Sequence, residues 1–205
     1  MATREWIPWY GLFTQRKLPS FVSDAGVLKR EEMNNDVERI KEILLNRGYL
    51  NVQVGLPTLE LSDDRKWFVV TYPVREGEPF TISEIGFRGN VVFEDPELRQ
   101  GLKMKPGEIF QRQKLRDEMT RLKDLYGSKG YAFADVSPNV IPNDADRTAA
   151  IILTVKEGGL MQVRQINING NEKTKDNVIR REIRLDEQDV IDTPALKRSF
   201  QRLNN

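Results

Sequence analysis

The stretch Phe80-Thr81-Ile82-Ser83-Glu84-Ile85-Gly86-Phe87-Arg88-Gly89-Asn90 has a second version 81 residues on, Met161-Gln162-Val163-Arg164-Gln165-Ile166-Asn167-Ile168-Asn169-Gly170-Asn171. Both alternate apolar and polar residues in the manner of a half-buried strand. Both also break step at the same place: between Ile82 and Ile85, and between Val163 and Ile166, the apolar spacing is three instead of two. A shared phase jump predicts a β-bulge at Ser83–Glu84. The same offset links Val74-Arg75-Glu76-Gly77 to Val155-Lys156-Glu157-Gly158, Asp95 to Asp176, Arg99 to Arg180, Leu102 to Ile183 and Leu115 to Leu196. Upstream the offset is 82: Met33, Val37, Ile40 and Leu44 match Leu115, Met119, Leu122 and Tyr126, and Gly48-Tyr49 matches Gly130-Tyr131. A constant offset through apolar and glycine positions marks an internal repeat, and the one-residue difference is a loop indel.

The complete copy has a readable order. After the bulged strand, Asp95-Pro96-Glu97 supplies an N-cap acceptor, a first-turn proline and an early carboxylate for a short helix with Leu98 and Leu102 on its apolar edge. A longer helix is expected over 112–128, with Leu115, Met119, Leu122 and Tyr126 on one stripe and Gly130 as its C-terminal cap. A second strand is expected over 131–141, a turn at Asn143-Asp144-Ala145-Asp146, and a third strand with Ile151, Leu153 and Val155 facing the core. The fold class is α+β: a tandem of β-α-α-β-β modules, each with two helices on a three-stranded mixed sheet. The expected domains are a partial module at 1–78, lacking its first strand and most of its first helix, a complete module at 79–158, and a partial module at 159–205 that stops within its second helix. In the first of these the hairpin turn is Ser62-Asp63-Asp64-Arg65, and Phe68, Val70, Tyr72 and Val74 point inward.

Composition narrows the chemistry. The 205 residues hold 32 Lys+Arg and 31 Asp+Glu, a net charge of +1, which lacks the basic excess of a nucleic-acid binder. With no His and no Cys there is no imidazole base, no thiolate nucleophile and no disulfide. No run approaches the roughly 20 apolar residues of a membrane helix, and the N-terminus lacks the apolar core of a signal peptide. No glycine-rich phosphate loop appears. Asp63-Asp64 and Asp144/Asp146 lie where hairpin turns are expected and favour the turn. These points predict no catalytic, metal or cofactor residues. A KH-like RNA-binding module also mixes helices with a three-stranded sheet, and Gly86-Phe87-Arg88-Gly89 and Gly127-Ser128-Lys129-Gly130 fit its Gly-x-x-Gly run. A KH loop joins two helices, whereas the first run here ends a strand and the second leaves a helix for a strand.

A tandem βααββ unit of about eighty residues, with Gly-Tyr before its second strand, Glu-Gly-x-x-Phe junctions and a terminal Gly-Asn on its first strand, resembles the POTRA (polypeptide-transport-associated) domain. The run Gly170-Asn171-Glu172-Lys173-Thr174-Lys175-Asp176-Asn177-Val178-Ile179-Arg180-Arg181-Glu182-Ile183 looks like the opening of the membrane-proximal domain of such an array. By that likeness the partial first module is a third POTRA domain, the complete one a fourth and the last a fifth. The resemblance implies a periplasmic, non-enzymatic scaffold without cofactors, belonging to a parent protein anchored in the outer membrane. Its implied partners are accessory lipoproteins and unfolded outer-membrane β-barrel proteins, with no nucleic acid and no small-molecule substrate. Other POTRA-bearing proteins, an outer-membrane translocation factor or a cell-division scaffold, remain alternatives.

In such a sheet the first and third strands pair and the second lies on the edge, where unpaired backbone groups can take up an extended chain. The expected client edges are Leu50, Asn51, Val52, Gln53 and Val54, ending near Pro57, and Ala132, Phe133, Ala134, Asp135 and Val136, ending at Pro138. Asp135, Pro138 and Pro142 equally suit an edge defended against pairing. Arg180, Arg181 and Glu182 are expected on a short helix whose buried edge is Ile179 and Ile183, with their charges toward solvent or a partner. The resemblance assigns them to accessory lipoprotein docking. The aromatic group Trp6, Trp9, Tyr10, Leu12 and Phe13 is expected to pack as core.

Overall fold

The computed structural model describes residues 30–63 and 68–204; the aromatic group at 6–13 and the turn residues Asp64 and Arg65 lie outside the described residues. The described residues divide into two compact units, one containing 30–41 and Gln53–Arg75, the other containing Glu42–Val52 and 76–204.

The second unit holds the complete module. Strand β5 (Thr81–Arg88) is followed by α2 (Asp95–Arg99), α3 (Arg112–Ser128), β6 (Asp135–Asn143) and β7 (Thr148–Lys156). The sheet order is β5-β7-β6, parallel between β5 and β7 and antiparallel between β7 and β6. The register slips between Ile82 and Glu84, which is the bulge that the apolar spacing requires. Ile82, Ile85 and Phe87 thereby reach the same buried face as Ile151, Leu153 and Val155, under Leu98, Leu115, Leu122 and Tyr126. Helix α3 occupies the expected span. The short helix starts differently: its N-cap is Glu94, and Glu97 reaches back to accept from the Glu94 N–H at 3.1 Å. Asp95 instead accepts from the Asn90 side chain at 2.9 Å.

Two carboxylate contacts, one buried and one half-buried, complete this core. Glu118, on α3, is fully buried; it accepts the Lys103 N–H at 3.1 Å and pairs with Arg121. Arg121 in turn donates to the carbonyls of Leu98 (2.7 Å) and Gln100 (3.1 Å), closing the end of α2. Glu157, just past β7, accepts from the N–H groups of Val91 and Val92 at 2.6 and 2.7 Å and from the Tyr126 hydroxyl at 3.1 Å. The glutamate of the repeated Val-x-Glu-Gly run therefore pins the loop between the first strand and the first helix. Gly89, at φ +77°, is needed there twice over, because a Cβ would also collide with the Val155 carbonyl oxygen.

The last 45 residues reproduce the front half of this plan as α4 (Asp176–Glu182) and α5 (Thr193–Leu203). Arg184 N–H donates to Ser199 Oγ at 2.8 Å, in the positions of Lys103 and Glu118. The strand expected at 161–168 does not form among the described residues, where an isolated bridge, Gln162 with Val190, is present. Its counterpart β5 is a strand because β7 pairs with it, and among the described residues nothing pairs with 161–168 in that way.

Within the second unit both module seams use the same bonds. The Gly48 carbonyl accepts from Phe80 N–H at 2.9 Å, and the Gly130 carbonyl from Met161 N–H at 2.9 Å. Arg116 meets Glu42 at 2.8 Å, and Lys197 meets Asp124 at 2.5 Å. Gly127 faces Thr193 so closely that a Cβ would overlap its Oγ1.

Helix α1 (Arg30–Leu45), whose last residues from Glu42 on are counted with the second unit, has Glu31 and Glu32 in its first turn, where carboxylates suit the dipole. A hairpin follows, split by Gly55–Pro57 and Pro73 into β1 (Gln53–Val54) paired with β4 (Val74–Arg75), and β2 (Thr58–Leu61) paired with β3 (Phe68–Thr71). Val70, Tyr72 and Val74 are half-buried, but Phe68, expected inward, is 59% exposed.

Candidate functional site

Strand β6 lies at one margin of the three-stranded sheet, bonded among the described residues to β7 on one side only. It starts four residues later than expected. Tyr131 to Ala134 instead make a turn closed by Ala134 N–H to the Tyr131 carbonyl at 3.0 Å, so Ala132, Phe133 and Ala134 are not part of the edge strand, and Asp135 and Val136 are. The strand also runs on through Pro138 and Pro142 rather than stopping at the first. A proline has no N–H to give a ladder, so both fit only if the even-numbered residues turn their N and O atoms away from β7. The outer rail then offers carbonyls at 136, 138, 140 and 142 but N–H groups only at Val136 and Val140.

The other expected edge, 50–54, contracts likewise. Gln53 and Val54 form β1, whereas Leu50, Asn51 and Val52 precede it, with Val52 buried. Asn51 donates to Asp144 at 2.8 Å, a side-chain contact far along the sequence that periodicity does not reveal.

At the start of β6, Lys123 pairs with Asp135 at 2.8 Å, and that hydrogen bond holds the carboxyl below its ordinary value. Carboxylate and ammonium together keep the first rung of the edge charged, while Phe133, next to it, is largely exposed.

The charged cluster on α4 divides. Arg180 is tied to its own module: it donates to Asp176 at 2.7 Å and to the Ile166 carbonyl at 3.1 Å, and meets Glu187 at 3.5 Å. The bond to Asp176 is the main reason its pKa is raised. Arg99 makes the matching bond to the Ile85 carbonyl at 2.9 Å, so Arg180 repeats a structural arginine while its side chain stays 46% exposed. Arg181, its side chain 74% exposed, reaches Glu182 at 3.4 Å, and Glu182 also accepts from Arg202 at 3.2 Å. Arg181 is thus the most outward member of the cluster, and Glu182, its side chain 29% exposed, lies between Arg181 and Arg202. Ile179 and Ile183 are only half-buried.

Neither Gly-x-x-Gly run joins two helices: the first lies in β5 and its end, the second closes α3. A KH clamp is therefore absent at both.

The POTRA family model, "Surface antigen variable number repeat", matches residues 14–77, 80–158 and 161–205. The chain is 28% identical over 195 residues to the outer membrane protein assembly factor BamA of Nitratidesulfovibrio vulgaris, covering 93% of this chain and 24% of that protein. It is 27% identical over 191 residues to BamA of Neisseria meningitidis serogroup B, with the same coverage of 93% and 24%. It thus spans about a quarter of the length of these curated relatives. Among solved structures, domains POTRA3–5 of Haemophilus influenzae BamA superpose with a TM-score of 0.72 at 28% identity, covering 84% of this chain and 68% of that one. BamA of Haemophilus ducreyi lacking POTRA domains 1–3 gives a TM-score of 0.55 at 33% identity, over 60% of this chain and 24% of that one. The three matched segments, the mixed sheet and the repeated seams agree: this chain belongs to the POTRA family.

Proposed function

We propose that the chain serves outer-membrane protein assembly as a periplasmic docking scaffold rather than a catalyst, taking up extended client segments by strand addition at β6. The observation that carries this reading is the marginal position of β6, a nine-residue strand that among the described residues is paired on one side only. The likeness to BamA proteins, named for outer-membrane protein assembly, supports it. Main-chain pairing is indifferent to most side chains, which suits a surface that handles many unfolded barrel proteins. The missing donors at Pro138 and Pro142 keep such binding weak, so that clients leave again. The β1 rung at Gln53 and Val54 is a second, shorter edge of the same kind. Arg181 and Glu182 on α4 are the proposed contact for an accessory lipoprotein, with Arg180 holding the helix in place.

The test is a 15N amide titration with a peptide taken from an outer-membrane barrel strand. The largest shifts are expected at Val136 and Val140, within 135–143. Binding that moves other amides and leaves this strand still would end the edge reading. For the lipoprotein contact, Glu182→Lys should lose partner capture in a pull-down; full retention removes that assignment.

A further inference from the structure

Along β6 the register sets Pro138 opposite Leu153, Val140 opposite Ile151 and Pro142 opposite Ala149, all rungs of one phase. Two of these three β6 residues have no N–H, so the outward rail is rich in acceptors and poor in donors. Among the described residues no loop N–H meets the carbonyls of Pro138, Val140 or Pro142. Val136 shares the phase, but it is buried and its N–H is already engaged. The Asp135 carboxylate accepts from Lys123 at 2.8 Å and from Ser137 Oγ at 3.4 Å, and the Val136 N–H is a further donor to it. A chain that reaches Val136 must take that N–H from Asp135. Over 137–143 this leaves Val140 as the residue with both a donor and an acceptor outward.

The two faces of the strand differ as well. Residues in the outward-bonding phase carry apolar side chains, on the face where Val136 joins the core and Val140 packs against it. The other face shows Ser137, Asn139 and Asn143, with Ile141 the apolar exception. Only in an antiparallel pair can a single client residue exchange both bonds with Val140. Facing residues of such a pair point to the same side of the sheet, so the client residues that bond the rail lie beside Val140 and the prolines. We propose, resting on the strand-addition reading of β6, that this edge selects clients by their N–H groups. It takes an antiparallel segment of alternating apolar and polar residues, whose apolar residues donate to the carbonyls of Pro138, Val140 and Pro142. Proline is refused at those apolar positions and tolerated at the polar ones between. The client's own carbonyls matter less, because the rungs at Pro138 and Pro142 offer them no donor.

A 15N titration of the full chain with a synthetic peptide of alternating valine and threonine between lysine ends tests this, read at Asn139, Val140 and Ile141. N-methylation of the central valines should weaken binding by about tenfold or more, whereas N-methylation of the central threonines should leave it within about threefold. Pro138→Val returns a donor to the rail at an exposed position and should bind the plain peptide about fivefold more tightly, its amide spectrum showing the fold kept. Equal losses from both methylated peptides, a larger loss from the threonine-methylated one, or a Pro138→Val variant no tighter than the parent overturns selection by donor phase and leaves strand addition standing. A plain peptide that moves none of these amides removes strand addition itself, and this proposal with it.

Discussion

Tyr126 donates its hydroxyl hydrogen to Glu157 at 3.1 Å from within the core, and burial, reinforced by that carboxylate, pushes the phenol well above its ordinary pKa of 10.0. The folded state therefore holds this proton more tightly than the unfolded chain does. Its contribution is complete below about pH 10 and fades as pH rises toward the folded value. Tyr72 is shifted in the same direction by burial and by Asp36, so the informative quantity is a difference. Tyr126→Phe should cost about 1 kcal/mol at neutral pH, and should lose less stability than the parent on going above pH 10. Urea midpoints that fall in parallel for the two proteins would contradict this.

Glu157→Ala leaves the Val91 and Val92 N–H groups and the Tyr126 hydroxyl without their acceptor. A loss of roughly 2–4 kcal/mol in urea unfolding is expected, because several donors lose one partner. Amide exchange should quicken first at 91 and 92. Stability within about 0.5 kcal/mol of the parent would mean that water replaces the carboxylate at no cost.

Gly89 and Gly170 separate two costs that usually travel together. Both need a left-handed backbone, but only Gly89 faces the Val155 carbonyl. Gly170→Ala should cost about 1 kcal/mol, from backbone strain alone. Gly89→Ala should cost clearly more, roughly 3 kcal/mol or above, since the end of β7 must also shift. Equal losses in paired thermal melts would show that the strand gives way freely.

Gly127 inverts a general rule. Replacing a helix glycine by alanine ordinarily stabilises by about 1 kcal/mol. Here the added Cβ overlaps Thr193 Oγ1, so Gly127→Ala should destabilise. In a Thr193→Ala background much of that loss should return, which a double-mutant cycle reads directly. Additive effects of the two substitutions would place the strain elsewhere.

What the sequence made legible is what local spacing determines. The bulge at Ser83–Glu84 and the span of α3 follow from the phase of neighbouring apolar residues, and both stand in the structure. The strand at 161–168 has the same pattern but lacks a pairing partner among the described residues, and a strand is defined by its neighbour. The late start of β6 came from a turn, Tyr131 to Ala134, whose apolar residues read like strand. Prolines looked like a terminus because sequence cannot show which way their nitrogens face. Arg180 was readable in principle: its repeat partner Arg99 marks a position that bonds the first-strand backbone, but a surface arginine and a structural one share the same letter. Glu118 was invisible for a like reason, since nothing local distinguishes a buried carboxylate from a solvated one on an otherwise polar helix.

The bond from Met161 N–H to the Gly130 carbonyl makes the last turn of α3 a shared possession of two neighbouring modules. Heat cannot release residues 161–205 without fraying the end of the preceding helix and exposing the seam that Lys197 and Asp124 close. A calorimeter should accordingly register residues 80–204 as one cooperative melting block, with no early shoulder from the shorter half.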